Sequence, residues 1–343
     1  MFTVKNPDKI LIVKPSSLGD IVHSLPFLNA IRGCFPESEI HWVVAKGFEG
    51  LLEEHPMIGK LWIIQKDQWK KINRAGETAK EITTLFRKLR KEHYDLVVDL
   101  QGLLRSGLIT AATGAPTRVG FREAREGSRL FYTHKVEGGR DIHAVDRYLK
   151  IAHFLGCPID TVCFPFPPSV DTADIRLRFT LPEEYAVLVP GARWATKRWA
   201  PENFGKLASR LQLKSVIVGS RGDMVIAQTI VERSQGNAIS LIGKTGLKEL
   251  VEIMRNAKFV VSNDSGPMHI AAALGIPVFA LFGPTEPRKT GPYGIHHTVL
   301  REEVPCAPCL KRKCNELNCM RDLSVGRVSD AITRKVSLSS PGQ

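Results

Sequence analysis

The stretch VVSNDSGPMHIAAALGIPVFALFGPTEP, Val260 to Pro287, decides the reading of the fold. A β-branched run ends in the polar turn Asn263-Asp264-Ser265-Gly266, a helix of small residues follows, and a second apolar run, Val278 to Phe282, closes the unit. Strand, tight turn, helix and strand in this order make a βαβ unit, whose two strands lie parallel. The turn then falls at the carboxyl edge of the sheet, where open α/β folds bind their ligands. Gly266 allows close approach of a ligand to the backbone, and the free N–H groups and helix dipole suit a diphosphate, with Ser265 adding a hydroxyl donor. His269, one turn further on, is either an ordinary packed histidine or a ligand contact.

The same alternation extends outward in both directions. Around it, strands are expected at Ala186 to Val189, Ser215 to Val218, Ile239 to Ile242 and Phe259 to Ser262, with helices starting near Pro201, Asp223, Leu247 and Pro267. Pro201 suits a first helical turn. Earlier in the chain, Ile10 to Val13, Ile40 to Val44, Leu61 to Ile64 and Leu96 to Leu100 read as strands. Segment Ala79 to Glu92 places Ile82, Leu85, Phe86 and Leu89 at helical spacing. A helical segment, His143 to Leu155, is followed by the proline-rich FPFPPS, Phe164 to Ser169, which has the character of a linker. The 343 residues exceed what one hydrophobic core usually holds. Two α/β domains of the Rossmann type are therefore expected, residues 1–168 and 169–343, with a closing helix at Val328 to Val336.

Composition narrows the class. With 43% hydrophobic and 24% charged residues the chain is an ordinary globular one, neither disordered nor a disulfide scaffold. The opening MFTVKNPDKILIVK reads as a first strand and not as a signal-peptide core, so a cytoplasmic protein is expected. The longest apolar stretch, His269 to Phe282, is interrupted by Gly275 and Pro277 and falls short of the ~18 to 20 residues of a membrane span. The net charge of +13 is spread over both halves and calls for an anionic partner: a nucleic acid, an anionic membrane surface or a phosphorylated small molecule. No zinc-finger or RNP motif supports nucleic acid, so no nucleic-acid partner is expected. Walker A and the full G-x-G-x-x-G fingerprint are also absent, which weakens P-loop and dinucleotide readings.

Two further strand-to-helix loops carry candidate chemistry. LIVKPSSLGDIVHSLP, Leu11 to Pro26, sets Ser17, Gly19 and Asp20 at a sheet edge. Asp20 is a candidate base there, or a cap on a helix expected over Ile21 to Arg32. VPGARWATKRWAPENF, Val189 to Phe204, carries Arg193, Lys197 and Arg198 beside Trp194 and Trp199. Such cations either neutralise a diphosphate without a metal or form a solvated loop.

Taken together, KPSSLGDIVHSLP, DLVVDLQGLLRSG, TKRWAPENF, NDSGPMHIAAALGIPVFALFGPTEP and CAPCLKRKCNELNCM resemble the ADP-heptose lipopolysaccharide heptosyltransferases, glycosyltransferase family 9, over Lys9 to about Val328. FREAREGSRLFYTHKV, Phe121 to Val136, is most similar to heptosyltransferase I, which acts on Kdo. The resemblance implies a GT-B architecture, two Rossmann-like domains facing each other across a cleft, the first for the acceptor and the second for ADP-heptose. It implies an inverting transfer with Asp20 as base and Lys197 at the donor diphosphate, and donor contacts from Asp264, Ser265, Gly266 and His269. Asp223, after the Gly219 to Gly222 loop, matches an acidic donor contact of relatives. Where some members have two threonines ahead of the lysine, this chain has Ala192 and Arg193, and Arg193 is taken as a further donor contact. No obligatory metal or cofactor is expected. The alternatives are a second heptosyltransferase, another nucleotide-sugar GT-B enzyme, or a nucleotide-binding protein without transferase activity.

An acceptor such as Kdo-lipid A carries carboxylates and phosphates, so cations are expected on the first domain. Lys70, Lys71 and Arg74 beside Trp69 suit a peripheral contact with the anionic inner leaflet, and Arg105, Arg122 and Arg125, with Arg129 nearby, form a second group. Both sets are otherwise plain solvated surface. Cys306, Cys309, Cys314 and Cys319 have a spacing that could hold zinc or stay reduced and empty, and no metal is assigned to them.

Overall fold

The computed structural model describes residues 6–70, 75–139 and 141–337. The chain divides into two compact units, Met1–Pro168 and Ser169–Gln343. In the first, β1 (Lys9–Val13), β2 (Glu39–Ala45), β3 (Lys60–Ile64), β4 (Leu96–Asp99), β5 (Thr117–Phe121) and β6 (His134–Val136) form one parallel sheet in the order β3-β2-β1-β4-β5-β6. In the second, β7 (Tyr185–Val189), β8 (Lys214–Ile217), β9 (Ala238–Ser240), β10 (Phe259–Asn263), β11 (Val278–Phe282) and β12 (Thr298–Arg301) repeat that order as β12-β11-β10-β7-β8-β9. Each unit thus has the Rossmann strand order, whose direction reverses beside its first strand.

Helices on both faces bury these sheets, and the interiors of the central strands are accordingly apolar, with polar residues only at their ends, such as Lys9, Asp99 and Asn263. Ile10, Leu11, Ile12 and Val13 of β1 and Val187 and Leu188 of β7 have no exposed surface. Separate cores result: Leu11, Val43, Trp62, Leu89 and Val97 cluster in the first unit, and Leu188, Trp199, Phe204, Phe279 and Leu323 in the second. Trp199 is 1% exposed, meets Phe204 edge-on at 5.1 Å, and donates its indole N–H to Leu323 O at 2.8 Å. Truncating it to alanine would cost about 3–5 kcal/mol, so the Val189–Phe204 loop is anchored by a core residue.

At the reversal point of the first unit, Val13 pairs with Asp99, which brings the ends of β1 and β4 together. In the second, Ser262 pairs with Val189, joining the ends of β10 and β7. These registers put the Leu11–Pro26 loop in one unit, and the Val189–Phe204 and Asp264–Gly266 loops in the other, at the edge where such sheets bind ligands.

Several local expectations shift. The single helix expected over Ile21 to Arg32 is two, Leu18–His23 and Leu25–Cys34. Pro26 has no N–H to continue the first ladder, and the Ser24 hydroxyl donates to Asp20 O at 2.6 Å. Asp20 therefore stands inside the first helical turn and Ser17 is the N-cap. The helix expected from Ala79 begins at Ala75, the closing helix runs Val325–Ser337, and β9 ends at Ser240 and not at Ile242. β5, β6 and β12 escape a search for apolar runs because TRVGF, HKV and TVLR mix charge or glycine into three to five residues. Among the described residues no helix is long and apolar enough to cross a membrane.

Candidate active site

In the first unit the site is built on the turn from β1 into helix Leu18–His23. The Asp20 carboxylate accepts from the Ser17 backbone N–H at 2.9 Å and from the Ser17 hydroxyl at 2.7 Å, both at Oδ2. Its other oxygen, Oδ1, lies 3.4 Å from the Tyr148 hydroxyl and 3.8 Å from the Lys14 ammonium. The Ser17 contacts and the Tyr148 and Lys14 contacts are therefore divided between the two oxygens. The Asp20 side chain is 39% exposed while that of Lys14 is 3% exposed, so the carboxylate reaches solvent from a buried cationic seat.

Lys14 is held by Leu100 O at 3.3 Å and by the face of the Tyr148 ring, 4.9 Å away. Burial pulls its pKa down, but the charge of Asp20 and its contact with Tyr148 outweigh that and leave it above the ordinary lysine value. Burial likewise pushes the Tyr148 hydroxyl up. Beside them Asp99, wholly buried, accepts from Tyr132 at 2.6 Å and from the N–H groups of Gln101 and Gly102, and burial raises its pKa. Gly19 is buried and Ser17 exposed.

The cations expected around this edge are partly gathered. Arg105 starts a helix, donates to Lys66 O at 3.1 Å and stands 5.8 Å from the Trp69 ring, which ties the loop after β3 to the one after β4. Arg122 and Arg125 are exposed, and the Arg125 backbone bonds Gly102 O at 2.9 Å, beside the end of β4. Lys71 and Arg74 lie outside the described residues, as does the side chain of Lys70. A cavity of about 660 Å³ between β3 and helix Ala75–Lys91, lined by Trp62, Trp69, Lys80 and Lys88 among others, includes neither Asp20 nor Lys14.

In the second unit, Asn263 at the end of β10 donates to Pro190 O at 2.7 Å and accepts from the Trp199 N–H at 3.1 Å, locking the two loops together. Lys197 and Asp264 form an ion pair of 2.6 Å, and the Thr285 hydroxyl donates to the same Asp264 oxygen at 2.6 Å. Asp264 is 6% exposed and Lys197 17%. An ammonium has three donors, so this pairing holds Lys197 in place and leaves capacity for a ligand. Trp194 lies under both Lys197, at 4.7 Å, and Arg312, at 4.9 Å. Arg193 is exposed on the same loop. Ser265 caps the helix Gly266–Ala273, and His269 within it is buried.

Asp223 repeats the Asp20 geometry. It accepts from the Ser220 N–H at 3.0 Å and hydroxyl at 2.7 Å, in the same Ser-x-Gly-Asp turn, here after β8. Gly191 passes so close that a Cβ there would meet an Asp223 carboxylate oxygen at 2.7 Å. Asp223 is 8% exposed, so its capping duty is plain and its reach toward a ligand short.

Sequence reasoning missed Lys14, Tyr148, Asn263 and Thr285. Lys14 carried a signal, since it directly follows the buried apolar run Ile10 to Val13; Tyr148 carried none, being 128 residues from Asp20. Among the described residues no group of side chains is arranged to hold a metal ion. The four clustered cysteines are free thiols; burial, then the nearby Cys306, Cys309 and Cys314, push the Cys319 thiol up.

The family described as Glycosyltransferase family 9 (heptosyltransferase) matches residues 82–320. The chain belongs to that family. This family 9 glycosyltransferase is 30% identical over 317 residues to lipopolysaccharide heptosyltransferase 1 of Pseudomonas aeruginosa, covering 89% of this chain and 87% of that one. Its fold is similar to the glycosyl transferase family 9 structure from Veillonella parvula, with a TM-score of 0.81, 25% identity and coverage of 97% and 98%. It is also similar to E. coli heptosyltransferase WaaC with ADP, with a TM-score of 0.79, 26% identity and coverage of 95% and 99%. The expected fold class, two Rossmann-like domains of the GT-B kind, is the one found in this family 9 chain.

Proposed function

We propose that this glycosyltransferase transfers heptose from ADP-heptose to the Kdo region of the lipopolysaccharide inner core, with inversion and with Asp20 as the general base. The observation that carries this reading is the Asp20 carboxylate: partly exposed at the strand-order reversal, with one oxygen occupied by Ser17 and the other set against Lys14 and Tyr148. A residue serving only as a cap needs no buried ammonium. The acceptor hydroxyl gives its proton to Asp20 as its oxygen bonds the anomeric carbon, and the carbon–oxygen bond to the diphosphate breaks with the electron pair leaving on ADP.

Charge that builds on the leaving diphosphate falls to the second unit. Lys197, steadied by Asp264, the exposed Arg193, and the N–H groups at Ser265 and Gly266 supply positive potential there. These groups supply that stabilisation without a bound divalent ion, and no other cofactor is invoked. The bound ADP named for the similar E. coli enzyme, and the lipopolysaccharide heptosyltransferase 1 named for the similar Pseudomonas protein, support the donor and the product class. For the acceptor, Arg105, Arg122 and Arg125 supply cations beside the end of β4, and Lys70, Lys71 and Arg74 supply a contact to the anionic inner leaflet at the cytoplasmic face.

Incubation of the purified chain with ADP-heptose and Kdo-lipid A, followed by mass measurement of the lipid, tests the reading. A gain of one heptose is expected. No gain with this acceptor, together with transfer to one already bearing heptose, would replace the Kdo assignment with the second-heptose one.

A further inference from the structure

The ammonium of Lys14 is out of keeping with its place. It directly follows β1, whose Ile10, Leu11, Ile12 and Val13 are fully buried and apolar, and its own side chain is 3% exposed. Burying a charge is costly unless a partner compensates it. Here the compensation is Leu100 O at 3.3 Å, Asp20 Oδ1 at 3.8 Å and the Tyr148 ring at 4.9 Å. The second unit supplies an internal control. Asp223 makes the same two bonds to the serine of its own Ser-x-Gly-Asp turn, and the residue three before that serine, where the first unit has Lys14, is Ile217. The turn and its cap therefore form without a lysine.

We propose that Lys14 and Tyr148 are positioning residues, a buried mount that fixes Asp20 Oδ1 in orientation and keeps it an anion, without touching either substrate. The inference rests on the reading of Asp20 as the base. Other charged and titratable groups around the mount are Asp99 at the end of β4, which acts on Lys14, and Arg147, which acts on Tyr148. His23, in the helix of Asp20, and His143, which caps the helix of Tyr148, stack edge-on at 4.9 Å. Lys14 is held above the ordinary lysine value, since the charge of Asp20 and the contact with Tyr148 outweigh the lowering by burial. Burial keeps Tyr148 a phenol. The mount thus keeps its own protons through neutral pH.

An opposite charge within about 4–6 Å lowers a carboxyl pKa by roughly 1–3 units, so neutralising Lys14 should move Asp20 up by at least about one. The full-length chain with 13C-carboxyl aspartate is titrated by NMR, with Asp20→Asn identifying the signal, and kcat and KM with ADP-heptose and Kdo-lipid A are followed against pH. In Lys14→Met the Asp20 midpoint and the acid limb of kcat should both move upward by about one unit or more, with the donor KM unchanged. Lys14→Arg, which keeps the charge, should hold midpoint and limb near the wild-type pH, and Tyr148→Phe should move the midpoint less than Lys14→Met. Tyr148→Phe removes a single oxygen and keeps the test standing should Lys14→Met fail to fold. Midpoint and limb at the wild-type pH in both variants would overturn the proposal. A shifted midpoint with Asp20→Asn still fully active would support the mount and overturn only the reading of Asp20 as base.

Discussion

Lys197 and Asp264 sit 2.6 Å apart on two different loops, and Thr285 donates to the same Asp264 oxygen, so the residues expected to contact the donor separately are one unit. Removing Lys197 leaves a carboxylate that is 6% exposed with a neutral donor alone. Lys197→Met should therefore cost about 3 kcal/mol of stability as well as weakening ADP binding and slowing transfer. The double variant Lys197→Met/Asp264→Asn should regain most of the stability and none of the turnover. Thermal melts beside kcat for the three proteins check this; a single variant as stable as wild type would mean that Asp264 does not depend on Lys197.

At the other sheet edge, Asp20→Asn keeps an oxygen for the two Ser17 bonds while removing the base. Turnover should fall by roughly 10² to 10⁴ with ADP affinity little changed. Near-normal turnover would reduce Asp20 to a cap, whose loss in Ser17→Ala should cost about 1 kcal/mol by itself.

Because the positive potential at the donor loop comes from Lys197, Arg193 and a helix start, transfer should persist in EDTA. Loss of activity on chelation, with recovery on adding magnesium, would show that the diphosphate is neutralised by an ion instead.

Acceptor recognition separates by salt. Neutralising Arg122 and Arg125 together, or Lys70, Lys71 and Arg74 together, should raise the KM for Kdo-lipid A and leave that for ADP-heptose alone. Added salt should imitate the lysine set more than the arginine set, since charges that meet a membrane surface are screened more than those within a binding site. Unchanged acceptor kinetics in both folded variants would move the acceptor site elsewhere.

The first unit also carries an acid-sensitive tie between β1, β3 and the residue after helix Ala75–Lys91. Glu92 accepts from Lys60 at 2.5 Å and from Lys9 at 3.1 Å, and these bonds, the one to Lys60 foremost, hold its carboxyl below the usual range. A depressed folded-state pKa adds stability that is present above the unfolded value and lost as pH falls through the folded one. Melting temperature should decline below about pH 4.5, and Glu92→Gln should flatten that decline. An identical pH slope in the variant would remove Glu92 from the account.

What could be read along the chain and what could not divide on range. Apolar runs at β1, β4, β7, β10 and β11 carry their own signal, because a strand buried on both faces reads as a near-continuous apolar run. Short strands with mixed chemistry, such as β6 and β12, do not, since their partners supply the pairing. Asp20 and Lys197 were legible from strand-to-helix loops that must lie at a sheet edge. Whether Asp20 capped a helix or faced a ligand was not, because its two oxygens are distinguished by Tyr148 and Lys14.

The sequence by itself determined the alternation of buried strands and amphipathic helices, the family, and the loops that lie at the sheet edges, since each depends on neighbours within one supersecondary unit. Only the tertiary structure decided that Ser17 is the N-cap residue and Asp20, three residues on, closes the capping box with one oxygen, that Lys197 and Asp264 are a pair, and that a buried lysine and a tyrosine 128 residues away stand behind Asp20. The physical reason is that hydrogen bonds and ion pairs depend on distances of a few ångströms and on local burial, and strand order brings together groups whose spacing along the chain carries no trace of the contact.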